Sequence, residues 1–202
     1  MEAEKMPAKL LQELKQLAAR TEGLSWFAAR MRDLQVLEIA PLRLPVCDRI
    51  EKVDDTGRQV SRDTAPAVEA LPLALPRLRW PQSYTGADGF PRKWLDNYGW
   101  VNLVSPEGLY QSSEMRLSIG YWGAGQLYSE HPHAPEETYL ILAGRARFRS
   151  EGRLPRDAGP GGTIHHAPHQ KHAIDMIPGP LLAAAFWRGD ELLKKSDLGA
   201  RK

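Results

Sequence analysis

Apolar residues at three- and four-residue intervals predict two amphipathic helices near the start of the chain. The first covers residues 7–20, with Pro7 in its first turn. Its apolar face consists of Leu10, Leu14 and Leu17. The second follows Gly23, and its apolar face consists of Phe27, Met31 and Leu34. We expect both helices to cover another part of the molecule.

Proline punctuates the next segment. Residues 41–91 contain seven of the sixteen prolines, together with the polar run KVDDTGRQVSRDT. Long regular elements are therefore improbable there, apart from one short helix near residues 65–70.

From about Trp94 the pattern changes to short apolar or alternating runs broken by glycine and proline. The runs are GWVNLVS, MRLSIGYWGAG, ETYLILAGRARFRSEG, GGTIHHAPHQKHAIDM and GPLLAAAFWRG. Such runs predict an antiparallel β-barrel or sandwich with no long helix. We therefore expect a helical and irregular cover segment over residues 1–92, a barrel over 93–192 and a polar tail over 193–202.

Composition narrows the function classes. The 202 residues carry a formal net charge of +2 with scattered basic residues, so we expect no nucleic-acid partner. The longest apolar run, Leu181–Trp187, is far shorter than the roughly 20 residues of a membrane span. The N-terminal residues do not resemble a secretory signal, and the single Cys47 fits a reducing cytoplasm. An exposed barrel edge would allow a homodimer that acts on a small molecule.

All six histidines lie between positions 131 and 172. On a strand, His131 and His133 share a face, and Glu137 and Tyr139 share a face of the following strand. Burying these four side chains in a barrel would cost several kcal/mol without partners. A bound divalent metal would offset that cost.

The spacing of these residues resembles the first motif of the cupin superfamily, from Gly125 through the two histidines and Glu137 to Gly144. The second cupin motif ends in another histidine, which matches His172. Ala167 and His169 replace the usual proline and glycine of that motif. The resemblance covers about residues 95–190. It implies a cupin barrel, a mainly β fold of the double-stranded β-helix or jelly-roll type, with an N-terminal α-helical extension and His172 as a further ligand.

The chain also resembles the cupin-type dimethylsulfoniopropionate (DMSP) lyases in length and in its helical extension. The specific matches are Tyr139, two residues after the glutamate, Tyr128, five residues before the second histidine, and Trp187, beyond the last histidine. The resemblance implies β-elimination of DMSP or a related small carboxylate to dimethyl sulfide and acrylate. It also implies one divalent transition metal, held by His131, His133, Glu137 and His172, which could be Zn, Fe, Mn, Ni or Co.

A tyrosine has an unperturbed pKa of about 10 and becomes a base only where a cation favours its anion. Tyr139 is the preferred base and Tyr128 the alternate base or acid. Tyr128 and His131 are three positions apart, so on a regular strand their side chains point to opposite faces. A bulge or bend is needed to turn Tyr128 toward the interior. The sulfonium favours aromatic walls, for which the candidates are Trp187, Tyr121 and Trp122, with Trp94 and Trp100 as further candidates.

Two other functions stay open. A cupin dioxygenase or isomerase would use Fe(II) with open coordination positions on a small organic acid. A cupin that only binds a small ligand would use the tyrosines for packing. His165, His166 and His169 share no spacing with the first motif, so we expect most of them to be structural or exposed.

Overall fold

The computed structural model describes residues 2–52, 59–177, 179–196 and 198. Met1 and residues 53–58 of the predicted cover segment lie outside the described residues, as do 197 and 199–202 of the predicted polar tail. Within the described part, no helix is both long and apolar enough to cross a membrane.

The helices lie in the first half of the chain. They are α1 (Glu2–Arg20), α2 (Ser25–Arg30), α3 (Val46–Glu51), α4 (Ala65–Ala74) and α5 (Arg92–Leu95), with 3-10 turns at Leu75–Arg77 and Gly86–Asp88. The first helix begins earlier than predicted because residues 2–6 favour a helix, which puts Pro7 in the second turn. The second helix ends before Met31, because the ψ of 51° at Met31 is outside the helical region.

Two sheets form the barrel, and the expected class of a mainly β cupin fold with an N-terminal helix is confirmed. The seven-stranded sheet has the order β1-β3-β2-β4-β11-β6-β9, and the four-stranded sheet has the order β5-β10-β7-β8. The strands are β1 (Gln35–Val36), β2 (Tyr98–Ser105), β3 (Tyr110–Gln111), β4 (Met115–Trp122), β5 (Leu127–His131), β6 (Glu136–Gly144), β7 (Ala146–Ser150), β8 (Arg156–Ala158), β9 (Thr163–His166), β10 (His172–Asp175) and β11 (Leu181–Arg188).

The central strands of the larger sheet are buried on both faces. On β4, Leu117, Ile119 and Tyr121 belong to the apolar cluster that includes the helices. The alternate residue Trp122 belongs to a second cluster inside the barrel, which is rich in aromatic rings. The alternation of β4 thus separates a helix-packing face from an interior face.

One cross-strand row on the interior face positions the site. Trp187 of β11 lies opposite Arg116 of β4 on one side and Glu137 of β6 on the other. Glu137 in turn lies opposite His166 of β9. Four polar or aromatic side chains from four strands therefore stand side by side in the barrel.

The register of β5 against β10 contains the irregularity that the sequence parity required. His172 pairs with His131 and Ile174 pairs with Tyr128, so two steps on β10 match three on β5. This β-bulge lets Tyr128 and His131 both face the interior.

Candidate functional site

A fully buried carboxylate lies at the centre of the barrel. Glu137 Oε2 is 3.1 Å from His133 Nε2, 3.3 Å from His172 Nε2 and 3.4 Å from His166 Nδ1. The other oxygen, Oε1, accepts a hydrogen bond of 2.5 Å from Trp187 Nε1. We call Glu137 and the four buried histidines around it the polar cluster, with His131, His133, His166 and His172 as its other members.

Backbone carbonyls fix the tautomer of three of these imidazoles. The Nδ1 atoms of His131, His133 and His172 lie 2.7–2.8 Å from the carbonyl oxygens of Ser129, Pro135 and Gln170. A carbonyl can only accept, so each Nδ1 carries a proton, and in the neutral form of each ring the lone pair lies on Nε2. This orientation is typical of histidines that bind a metal through Nε2.

His166 joins the cluster, although the sequence pattern predicted that most of the histidines outside the motifs are structural or exposed. His165 and His169 are exposed, but His166 is fully buried and stacks on His172 at 3.9 Å between ring centroids. Its Nε2 lies 3.1 Å from Ser150 Oγ. His166 lies two residues after the buried Ile164 on strand β9. Strand alternation therefore predicts that both side chains point into the barrel.

The donor set fits a divalent cation. Among the described residues, His166 Nδ1 and His172 Nε2 are buried without a hydrogen-bond partner. Nε2 of His133 and the carboxylate of Glu137 face each other at 3.1 Å, close enough for one cation to bind both. Ligand atoms of His131, His133 and His172 lie within 4.8 Å of one another, as do those of Glu137, His166 and His172. A cation bound among these atoms would also give the two unpaired nitrogens a partner.

Burial keeps His131 and His166 neutral, which is the form of an imidazole that binds a metal. Burial, helped by neighbouring His172, lowers the pKa of His131 to about 3. Burial likewise lowers the pKa of His166 to about 4. For Glu137 burial opposes ionisation, but the adjacent His133 and the other imidazoles outweigh it and hold the pKa of its carboxyl well below the ordinary value.

Both candidate tyrosines reach this region. Tyr139 is buried two residues beyond Glu137 on the same face of β6, and its ring lies 5.8 Å from that of His166. Tyr128 lies 4.7 Å from His131, ring to ring. Burial raises the pKa of both hydroxyls well above the ordinary value, and the carboxylate of Glu137 adds to the rise at Tyr139.

A small cavity of about 150 Å³ lies beside the two tyrosines. It is smaller than the roughly 300–1,000 Å³ of pockets that hold drug-sized ligands, so it suits a small molecule. Its walls come from the cover segment, the barrel and the segment after β11, and are formed by Pro81, Ser83, Tyr84, Tyr98, Trp100, Asn102, Arg116, Tyr128, Tyr139, Trp187, Leu193, Lys195 and Ser196.

The predicted aromatic wall is only partly assembled there. Trp187 and Trp100 line the cavity. Trp122 lies behind the tyrosines, with its ring 5.6 Å from Tyr128 and 6.1 Å from Tyr139. Tyr121 is not brought to the site, because strand alternation turns it into the helix-packing cluster. Trp94 stacks on Tyr98, 4.5 Å away, and supports the wall from outside.

The segment after β11 forms one edge of the cavity. Tyr84 Oη donates to the carbonyl of Ser196 at 2.9 Å and lies 3.2 Å from Tyr128 Oη. Arg116 Nη1 donates to the carbonyl of Leu192 at 2.7 Å. Tyr84, Tyr98 and Arg116 were missed by the sequence reasoning, although the alternation of MRLSIGYW puts Arg116 on the face of Trp122.

Comparison with known proteins gives consistent matches over most of the chain. A family model described as dimethylsulfoniopropionate lyase matches residues 19–183. The dimethylsulfoniopropionate lyase DddQ of Ruegeria pomeroyi is 34% identical over 184 residues, which cover 90% of this chain and 88% of that protein.

Two solved structures superpose on nearly the whole chain. A chain from the crystal structures of the DMSP lyases RdDddP and RnDddQII gives a TM-score of 0.89 at 29% identity, covering 96% of this chain and 97% of its own. The crystal structure of DMSP lyase DddQ from Ruegeria pomeroyi gives a TM-score of 0.85 at 28% identity. The match covers 95% of this chain and 94% of that chain.

Proposed function

The chain belongs to the dimethylsulfoniopropionate lyase family, and from that premise we propose that it cleaves DMSP to dimethyl sulfide and acrylate. The observation that carries the proposal is the adjacency of three features. A buried cluster of histidines and a carboxylate, two buried tyrosines and a small aromatic cavity share the interior face of one barrel.

We propose that His133, Glu137 and His172 hold one divalent transition metal, with His131 as a fourth ligand. Zn, Fe, Mn, Ni and Co all accept such nitrogen and oxygen donors. When bound, the metal would act as a Lewis acid that polarises the substrate carboxylate and favours a phenolate nearby.

Tyr139 is the proposed base. Its oxygen takes the proton from the carbon next to the substrate carboxylate, and the electrons of that C–H bond form the double bond of acrylate. The C–S bond breaks, and its electron pair leaves on sulfur as neutral dimethyl sulfide. The adjacent Glu137 raises the pKa of Tyr139, so the phenolate forms only where positive charge offsets that carboxylate.

Tyr128 is the alternate base or acid. Because Tyr84 donates its proton to Ser196, the contact between the two phenols makes Tyr128 the donor to Tyr84. The proton of Tyr139 is also held at rest, by the carboxylate of Glu137. We prefer Tyr139 as the base because it lies beside Glu137, where a bound cation would favour its anion.

Trp187, the wall residue expected from the sequence, lines the cavity, but its ring is already stacked on Arg116 and His133. The other aromatic rings of the cavity wall are the proposed site for the sulfonium, because an aromatic face attracts a cation that has no hydrogen-bond donor. Trp122 would support the tyrosines from behind. The cytoplasm and a homodimer, both expected from the sequence, stay part of the proposal, to be checked by cell fractionation and by light scattering.

The test is the release of dimethyl sulfide from DMSP by the purified, metal-loaded chain, measured by gas chromatography with acrylate quantified in parallel. Equal amounts of the two products support the lyase. Oxygen uptake restored by Fe(II), without dimethyl sulfide, would instead support the dioxygenase, and binding without any product would support the ligand-binding hypothesis.

A further inference from the structure

The charge of the cavity wall is uneven. Among the described residues that line it, two are cationic, Arg116 and Lys195, and none is acidic. A pocket of this composition attracts an anionic group at the end where the positive charge is least neutralised.

Lys195 is already neutralised. Its ammonium lies 3.3 Å from Asp88 Oδ1 and donates to the carbonyl of Ser83 at 3.2 Å. More than half of its side chain is exposed to solvent, which screens the remaining charge.

Arg116 is in the opposite situation. It is 6% exposed, and no carboxylate lies within ion-pair distance of it in the part of the chain that the structure describes. Nη1 donates to Leu192, whereas Nε is buried and has no hydrogen-bond partner among the described residues. A buried guanidinium with an unused N–H donor is costly unless an anion completes it.

Glu137 does not complete it, because Trp187 lies between the two. The indole Nε1 donates to Glu137, and the ring face lies 3.5 Å from the guanidinium carbon. Trp187 therefore holds the cation and the carboxylate apart in adjacent positions of the same cross-strand row. Arg116 lines the cavity, and its charge is left for an anionic ligand to neutralise.

We propose that Arg116 binds the carboxylate of the substrate and orients it in the cavity, an inference that rests on the proposed function. The sulfonium end is repelled by the same guanidinium and is directed toward the aromatic rings. A carboxylate at Arg116 has its negative charge partly neutralised, which acidifies the adjacent C–H bond. Arg116 is then the residue that selects small carboxylates over neutral molecules of the same shape.

Equilibrium binding of a matched pair of probes tests this without turnover. Propanoate and propanamide have nearly the same shape and differ in charge. Calorimetry is run on the metal-loaded and on the metal-free full-length chain, because a metal also attracts carboxylates. The part of the preference for propanoate that persists in the metal-free protein belongs to the protein groups.

We expect the metal-free wild type to prefer propanoate by about tenfold or more, the order expected of one charge-assisted contact. Arg116→Met should bring the ratio of affinities to about one and leave propanamide binding within about twofold. Arg116→Gln keeps a donor for Leu192 and should lose the preference as well, which covers the case that the first variant does not fold. Lys195→Met is the matched control and should keep the wild-type ratio.

An unchanged preference in either Arg116 variant would overturn the proposal. An equal loss of affinity for both probes would also overturn it, because Arg116 would then only support the cavity wall. A loss of the preference in Lys195→Met alone would overturn it as well. Failure of the proposed function is separate: a chain that releases no dimethyl sulfide could still show the charge preference, and an active chain could lack it.

Discussion

The indole of Trp187 donates a hydrogen bond of 2.5 Å to Oε1 of Glu137, the carboxylate whose other oxygen faces three imidazoles. The bond restricts Glu137 to one orientation, with Oε2 toward the histidines. A group that orients a metal ligand in this way changes metal affinity when it is removed.

Trp187→Phe should weaken metal binding by about 10- to 100-fold, because it removes the donor and keeps most of the ring. Titration with Co(II) or Zn(II) would measure the change. Trp122→Phe is the matched control, since Trp122 Nε1 is buried without a partner among the described residues and no bond is lost. Equal metal affinities in the two variants would contradict the orienting role.

Tyr139→Phe should lower kcat by about 100-fold or more, the usual scale for the loss of a general base. Tyr121→Phe is the control, because its hydroxyl lies on the helix-packing face of the same sheet. Dimethyl sulfide release at saturating DMSP gives kcat for both. Full activity in Tyr139→Phe would exclude it as the base and would direct attention to Tyr128.

Removal of bound metal should lower the thermal stability of the chain. A ligand present at 100 times its Kd stabilises the folded state by about 2.7 kcal/mol, so chelation should lower Tm by roughly 5–10 °C. Differential scanning calorimetry before and after chelation gives this shift. A Glu137→Gln variant should show a smaller shift, because it loses the charged ligand; a shift as large as that of the wild type would argue against Glu137 as a ligand.

Acid should destabilise the metal-free protein. The pKa of His131 is about 3 and that of His166 about 4 in the folded state, against about 6.5 for an unfolded histidine. Between pH 6.5 and 4 the unfolded chain binds protons that the folded chain does not, so the free energy of unfolding falls as the pH falls.

The total loss is on the order of a few kcal/mol. Urea unfolding of the metal-free chain at pH 7, 6 and 5 would measure it. His166→Asn should show a shallower dependence on pH, because one of the two groups no longer titrates. A free energy of unfolding that stays constant over this range would refute the burial of neutral imidazoles.

Gly120→Ala should destabilise the barrel by about 1–3 kcal/mol. A Cβ at Gly120 would lie 2.4 Å from Trp100 and 2.5 Å from Trp122, two buried rings that cannot both retreat. Gly86→Ala is the control, because nothing lies within 4 Å of its Cβ position. Chemical denaturation measures the free energy of unfolding of both variants. Equal stabilities would contradict the predicted clash.

Sequence reasoning located the elements well wherever periodicity was strong. The leucine spacing of α1 and the short apolar runs of the barrel are local patterns, and burial of one face or both follows from them. The convergence of His131, His133 and Glu137 was also predicted, although His133 lies in the loop between β5 and β6 and not on a strand.

What the sequence could not provide depends on contacts between distant strands. The bulge that turns Tyr128 inward arises from the pairing of β5 with β10. The burial of His166 and Arg116 depends on which strands lie beside β6 and β11. Tyr121 was expected in the wall because aromatic residues suit a sulfonium, and the alternation of β4 places it on the other face.

The two-faced burial of β4 has a consequence for how such a protein can diverge. Neighbouring positions of one strand are under separate constraints, since Tyr121 and Ile119 pack against the helices whereas Arg116 and Trp122 face the barrel interior. Exchanging every second residue can alter the accepted substrate while the helical layer is inherited unchanged. A lineage could thus acquire a new substrate without first evolving a new scaffold.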